Sequence, residues 1–105
     1  TVLDFYADWC VSCKEFEHFT LSDPSIQEQM KQMRLIRIDI TNNTISDQAL
    51  LKKFQLFGPP ALLFFSPEGQ EIRSARMIGF QNPTQFQQTL NQLHKSEKKQ
   101  LLDSL

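Results

Sequence analysis

Apolar residues in the first forty positions follow two different spacings. Residues 1–7 are apolar apart from one aspartate and one threonine, which predicts a buried strand. Residues 14–20 combine helix formers with two phenylalanines three positions apart, so a helix is expected there. Asp23 precedes a proline, which predicts a second helix or a kinked continuation of the first. Residues 34–40 place isoleucine at alternate positions and predict a second strand.

Capping and turn residues divide the second half of the chain. Thr44 and Asp47 resemble a capping box that opens a further helix, and Gly58 is expected to stop that helix. An apolar run at residues 61–65 follows, then a turn that contains proline and glycine, and then a second run at residues 71–78. These runs predict two strands joined as a hairpin.

The last element is an amphipathic helix that begins at Asn82. Its apolar face is formed by residues at i, i+4 and i+7, namely Phe86, Leu90 and Leu93. Residues 95–105 are polar and predict a helical extension or a flexible tail. The resulting order is strand, helix, helix, strand, helix, strand, strand, helix. It is typical of an α/β sandwich of three layers, in which the early strands pair in parallel through right-handed crossovers.

The amino-acid composition excludes several classes of function. The 105 residues fit one globular domain, and 11 basic against 12 acidic residues give a net charge of −1. The chain therefore has no excess of positive charge of the kind that nucleic-acid-binding domains carry, and no nucleic-acid partner is expected. No apolar run approaches the roughly 20 residues that a membrane span needs. Since the chain opens directly on a core strand, we expect it to be a piece of a longer polypeptide.

Two cysteines carry the strongest chemical signal. Cys10 and Cys13 are separated by two residues and lie where the first strand passes into a helix, a placement typical of a redox pair. Unpaired N–H groups and the positive dipole end at a helix start stabilise a thiolate, which makes Cys10 the expected nucleophile. Cys13, one turn later, is within bonding range and is the expected resolving thiol.

Two other uses of the cysteine pair are disfavoured. Tetrahedral zinc needs four ligands, and the remaining candidates, His18 and His94, have a spacing that matches no common zinc finger, so no metal is expected. A purely structural disulfide would close a loop too short to contribute much chain entropy.

The residues around the cysteines carry a family resemblance. Residues 4–14 resemble the active-site segment of the thioredoxin superfamily, and residues 58–60 resemble its cis-proline loop. Within that superfamily, residues 6–17, 19–24, 62–65 and 69–71 are similar to the C-terminal periplasmic domain of membrane-bound thiol:disulfide interchange proteins. The resemblance covers nearly the whole chain. It implies a thioredoxin fold over residues 1–94, with a central mixed sheet of about four strands, and residues 95–105 lie outside that domain.

The resemblance also implies an electron relay on the periplasmic side of the bacterial inner membrane. A membrane segment of the same full-length protein would reduce this domain. The domain would then reduce the N-terminal domain of that protein and, through it, periplasmic thiol-disulfide proteins, including those of cytochrome c maturation. No small-molecule cofactor is expected, and the isolated domain is expected to be a monomer. Two alternatives remain: a free-standing periplasmic reductant for cytochrome c maturation, and a noncatalytic thioredoxin-like binding module, which the presence of both cysteines disfavours.

Two acidic residues are candidates for tuning the cysteines. The resemblance implies that Asp4 lies buried beneath the disulfide and takes part in moving the Cys13 proton; the alternative is a strand-end acid that reaches solvent. Glu17 follows Cys13 by one helical turn and shares its face. We hypothesise that both carboxylates raise the pKa of Cys10, the alternative for Glu17 being a solvated surface residue.

Four further residues are candidates for partner binding. Pro60 matches the cis-proline that shapes a groove for an extended partner segment. Pro59 departs from the family pattern, because a proline has no backbone N–H to give to the partner strand. Trp9 and Phe57 are expected to form an apolar rim around Cys10, the alternative being ordinary core packing.

Overall fold

The computed structural model describes the backbone of residues 1–103 and the side chains of residues 1–96. Four strands form one sheet in the order β2-β1-β3-β4. The strands are β1 (Val2–Tyr6), β2 (Leu35–Asp39), β3 (Ala61–Phe64) and β4 (Met77–Ile78). Strands β1 and β2 are parallel, whereas β3 is antiparallel to both β1 and β4. The sheet is therefore mixed and four-stranded, as the sequence predicted.

Helices connect these strands, and several of them start at a side-chain cap. They are α1 (Val11–Glu15), a π-helical segment (Phe16–Thr20), α2 (Pro24–Met30), α3 (Ile45–Lys53), a 3-10 turn (Arg73–Ala75) and α4 (Pro83–Asp103). The Asp23 carboxylate accepts backbone N–H groups at the start of α2. Thr44 and Asp47 form the predicted capping box at the start of α3. Both helix starts confirm the sequence prediction.

Helices pack against both faces of the sheet, which gives the three layers of a thioredoxin fold. The first core lies on the face covered by the π-helical segment, α2 and α4; it includes Val2, Phe16, Ile26, Leu62, Phe64, Met77, Phe86, Leu90 and Leu93. The second core lies on the α3 face and includes Phe5, Ala7, Cys10, Cys13, Ile40, Leu51, Leu56, Ala61 and Leu63. The predicted apolar face of the last helix is thus buried in the first core.

Two local predictions were wrong. Helix α3 ends at Lys53, before Gly58, and the chain turns at Gln55, whose φ of 58° is left-handed. The predicted second hairpin strand is broken: a 3-10 turn precedes the two residues of β4. Hydrogen bonds from the Arg76 guanidinium to the Glu71 carboxylate, one of them 2.8 Å long, hold this segment in its folded-back shape. Such contacts compete with the regular strand ladder.

Helix α4 continues through most of the polar C-terminal stretch. Its backbone is helical to Asp103. We predicted a helical extension or a flexible tail for residues 95–105, and the last two of these positions lie outside the described residues. The domain boundary after residue 94 stays a prediction. Of the helices described, none combines the length and apolar character that a membrane crossing requires.

Candidate redox site

The cysteine pair lies at the start of α1. Cys10 is the N-cap residue, in extended conformation, and its sulfur accepts a 3.1 Å hydrogen bond from the backbone N–H of Cys13. The two sulfurs are joined as a disulfide, with Cα atoms 5.3 Å apart. A donor aimed at the Cys10 sulfur stabilises negative charge on it once the disulfide opens. The local geometry thus suits Cys10 as the thiolate and Cys13 as its intramolecular partner.

Backbone hydrogen bonds fix the loop that presents Cys10. The Cys10 N–H donates to the Ala7 carbonyl over 3.1 Å. The N–H of Asp8 donates to the Thr41 hydroxyl, and the Trp9 indole N–H donates to the Thr41 carbonyl over 3.0 Å. Thr41, which follows β2, therefore ties this loop to the end of the neighbouring strand. No local sequence pattern predicts the role of Thr41, because its contacts span more than 30 positions.

Asp4 is a buried carboxyl group in the strand that leads to the cysteines. Its exposed fraction is 6%, and it lies on the sheet face of Val2, which packs with Phe16. Burial raises the pKa of Asp4 from 3.8 to about 6, the charge of Glu17 adds to the increase, and Arg37 opposes it. A carboxyl group with this pKa changes charge close to neutral pH and can accept or release a proton there.

Glu17 is partly exposed and has a partner that no local sequence pattern predicts. A 2.6 Å hydrogen bond and ion pair joins the Arg37 Nη2 to the Glu17 Oε1. Arg37 lies on β2 as the register partner of Asp4 on β1, so both side chains emerge on the same sheet face. The structure thus brings together a charged cluster, defined as Asp4, Glu17 and Arg37. Arg37 could have been identified as a member of this cluster only from the register of β1 against β2, which places it opposite Asp4.

The proline loop lies between α3 and β3. The Pro59–Pro60 peptide bond is cis, in accord with the resemblance of this loop. Pro60 is buried, and its carbonyl accepts a 2.9 Å hydrogen bond from the N–H of Gly79. Pro59 is partly exposed and has no N–H to donate.

The apolar rim, defined as Trp9 and Phe57, is exposed to solvent. Trp9 is 58% exposed even though its indole N–H is bonded to Thr41, and Phe57 is fully exposed. Ordinary core packing therefore does not explain either ring. In the described part of the chain, no three His, Cys, Asp or Glu side chains group so as to hold a metal ion.

Comparisons with known proteins place this geometry in a family. A family model described as "Thioredoxin-like domain" matches residues 1–94. The thiol:disulfide interchange protein DsbD of Pectobacterium atrosepticum is 49% identical over 86 residues, and that of Haemophilus ducreyi is 46% identical over 92. These matches cover 82% and 88% of this chain. The chain spans only 15% and 16% of the length of these two relatives.

Solved structures agree with the sequence relatives. The C-terminal domain of Neisseria meningitidis DsbD in its oxidised form is 41% identical, with a TM-score of 0.76, and the match covers 88% of this chain and 78% of that one. A thioredoxin from Thermus thermophilus is 22% identical with a TM-score of 0.73, which shows the shared fold. The chain therefore belongs to the thioredoxin-like family and, within it, to the group of C-terminal domains of the thiol:disulfide interchange protein DsbD.

Proposed function

We propose that this domain is a protein-disulfide reductase that passes reducing equivalents to partner disulfides through Cys10 and Cys13. The observation that carries the proposal is the cysteine pair at the start of α1, with the Cys13 N–H donated to the Cys10 sulfur. The names of the relatives, thiol:disulfide interchange proteins, support it. The C-terminal domain from Neisseria meningitidis has also been solved in both oxidised and reduced forms.

The proposed reaction is a two-step exchange. In the reduced domain, the Cys10 thiolate attacks one sulfur of a partner disulfide, which forms a mixed disulfide and releases the other partner sulfur as a thiolate. Cys13 then loses its proton and attacks Cys10, so the mixed disulfide breaks and the second partner sulfur leaves. The domain ends with the Cys10–Cys13 disulfide, and two electrons have passed to the partner. The Cys13 proton accounts for one of the two partner thiols, and the other partner thiolate takes its proton from water. No small-molecule cofactor takes part.

Asp4 is the proposed proton acceptor for Cys13. Its burial and its pKa of about 6 suit a group that takes up a proton near neutral pH and then returns it. Glu17 is proposed to act on the same step through its charge, which raises the pKa of Asp4 in addition to the larger effect of burial.

The apolar rim and the proline loop are the proposed docking surface. Exposed rings at Trp9 and Phe57 offer apolar area that a partner can cover. Pro59 lacks the N–H with which an extended partner segment would pair, and the Pro60 carbonyl is already bonded to Gly79. Docking is therefore proposed to rely on side-chain contacts and the Pro59 carbonyl.

The proposed place of the domain is an electron relay on the periplasmic side of an inner-membrane protein. A membrane segment would reduce Cys10–Cys13, and the N-terminal domain of the same protein and periplasmic thiol-disulfide proteins would reoxidise them. The small share of the curated relatives that this chain spans supports a position within a larger protein.

Equilibration of the domain with a dithiothreitol or glutathione series tests the direction of transfer. We expect a reduction potential near that of thioredoxin, about −270 mV. A value near that of DsbA, about −120 mV, would contradict the role of electron donor. Cys10→Ser must abolish reduction of a disulfide substrate. Cys13→Ser must retain attack but accumulate the mixed disulfide, which non-reducing electrophoresis detects.

A further inference from the structure

Arg37 is the basic member of the charged cluster. It lies on β2, directly beside Asp4 on β1, and its guanidinium reaches the Glu17 carboxylate at 2.6 Å. Three secondary-structure elements thus meet at this side chain. Glu17 and Arg37 are 39% and 47% exposed, so the pair is partly shielded from water.

The aromatic ring of Tyr6 supports the Arg37 side chain. The guanidinium carbon lies 3.5 Å from the ring centroid, a stacking distance for a cation over an aromatic face. Tyr6 is itself buried, so its ring is held in place by the surrounding core. A guanidinium that is both stacked and paired has few alternative positions, and its charge stays next to Glu17.

Four ionisable groups face Arg37. They are Asp4 and Tyr6 on β1, Glu17 on the π-helical segment and Asp39 on the same strand. Hydrogen bonds from Thr41 lower the pKa of Asp39, and Arg37 adds to that effect. Asp39 therefore already has Thr41 as a partner, whereas Glu17 forms its ion pair with Arg37.

We propose that Arg37 is a positioning residue of the redox site, which holds the Glu17 carboxylate in place and balances the negative charge that Asp4 and Glu17 bring to it. Arg37 acts through the two carboxylates and does not contact the reacting sulfur atoms. With Arg37 present, Asp4 can lose its proton next to a compensated Glu17. Without Arg37, the carboxylates of Asp4 and Glu17 oppose each other, so Asp4 ionisation becomes less favourable, and with it the proposed proton transfer from Cys13.

The test uses a double-mutant cycle of Arg37→Gln, Glu17→Gln and the double variant. The Asp4 carboxyl is titrated by NMR in the oxidised domain, where no cysteine titrates. Arg37→Gln must raise the midpoint, Glu17→Gln must lower it, and Arg37→Gln must raise the midpoint clearly less in the Glu17→Gln background than in the parent. Arg37→Lys is the matched control that keeps the charge, and it must shift the midpoint less than Arg37→Gln does.

A kinetic measurement connects the cycle to the proposed function, on which the inference rests. Reduction of a disulfide substrate at pH 7 must slow about two- to fivefold in Arg37→Gln and recover in the double variant, a size that suits a partly exposed ion pair. An unchanged Asp4 midpoint in Arg37→Gln, or the same shift with and without Glu17, would overturn the role of Arg37. A parent domain that reduces no disulfide would instead refute the proposed function, and the titration would still decide on Arg37.

Discussion

The charged cluster and the apolar rim are both predicted to serve the cysteine pair, but they differ in how they are held. Asp4 is buried, and Glu17 is bound to a stacked arginine. Phe57, in the rim, is fully exposed, and Trp9 is attached through one indole hydrogen bond. Groups that tune a reaction must keep their distances to it, whereas groups that meet a partner must leave their surface free. The difference predicts that changes in the cluster alter pH dependence and changes in the rim alter partner affinity.

Asp4→Asn is expected to have the largest effect, which is on stability. Because the pKa of Asp4 is raised to about 6 in the fold, its contribution to stability is fully present below about pH 4 and is lost as pH rises through 6. A shift of about two pKa units corresponds to about 3 kcal/mol. The oxidised Asn variant should therefore be more stable than the parent above pH 6, by up to that amount, in urea unfolding.

The control for Asp4→Asn is an exposed carboxylate elsewhere. Glu68, in the turn after β3, is exposed, and Glu68→Gln should leave the pH dependence of unfolding unchanged. If the free energies of unfolding of the parent and Asp4→Asn change in parallel between pH 4 and 8, the raised pKa of Asp4 would be refuted.

Phe57→Ala should weaken partner binding and leave the fold intact. The ring is fully exposed, so its removal uncovers no core, and the free energy of unfolding should stay within about 0.5 kcal/mol. Loss of an anchoring ring at an interface costs about 1 kcal/mol or more, so KM for a protein disulfide should rise about fivefold or more at constant kcat.

Phe19 offers the matched control for the rim. It is 57% exposed but lies on the π-helical segment, outside the rim, and Phe19→Ala should leave KM unchanged. Equal effects of both alanine variants on KM would show that general surface apolarity, and not the rim, governs docking.

Trp9→Phe should reveal how the rim is attached to the fold. The variant keeps an aromatic ring and loses the indole N–H that donates to the Thr41 carbonyl. A hydrogen bond of this kind contributes about 1 kcal/mol, which corresponds to a decrease of about 4–8 °C in Tm for a domain of this size. Thermal unfolding followed by circular dichroism measures this decrease. An unchanged Tm would contradict a stabilising role of the hydrogen bond between Trp9 and Thr41.

High salt should produce the smallest effect and should distinguish burial from pairing within the charged cluster. At 1 M salt the Debye length is about 3 Å, so the Glu17–Arg37 interaction is weakened, whereas the burial of Asp4 is not. The rate difference between the parent and Arg37→Gln should fall below about twofold, while the Asp4 midpoint in the parent should stay near 6. An Asp4 midpoint that returns to 3.8 at high salt would contradict burial as the main cause.

Local signals in the sequence account for much of the fold and of the redox pair. The capping box of Thr44 and Asp47 spans three positions, and the Cys10–Cys13 pair spans the same distance, so both can be predicted from neighbouring residues. The long apolar pattern of α4 likewise predicts its buried face. The folded-back segment before β4 could not be predicted in this way, because a guanidinium–carboxylate contact there outweighs a weak strand pattern.

Patterns within a few positions were enough to predict the order of strands and helices, the helix starts and the redox pair Cys10–Cys13, because each depends on the preferences and chemistry of neighbouring residues. The folded chain was needed to show that Arg37 meets Glu17 and Asp4, and that Thr41 binds Trp9. These contacts join residues 20 to 33 positions apart, and they exist because β1 and β2 pair in one register. Register depends on the packing of the whole sheet against its helices, which no local pattern contains.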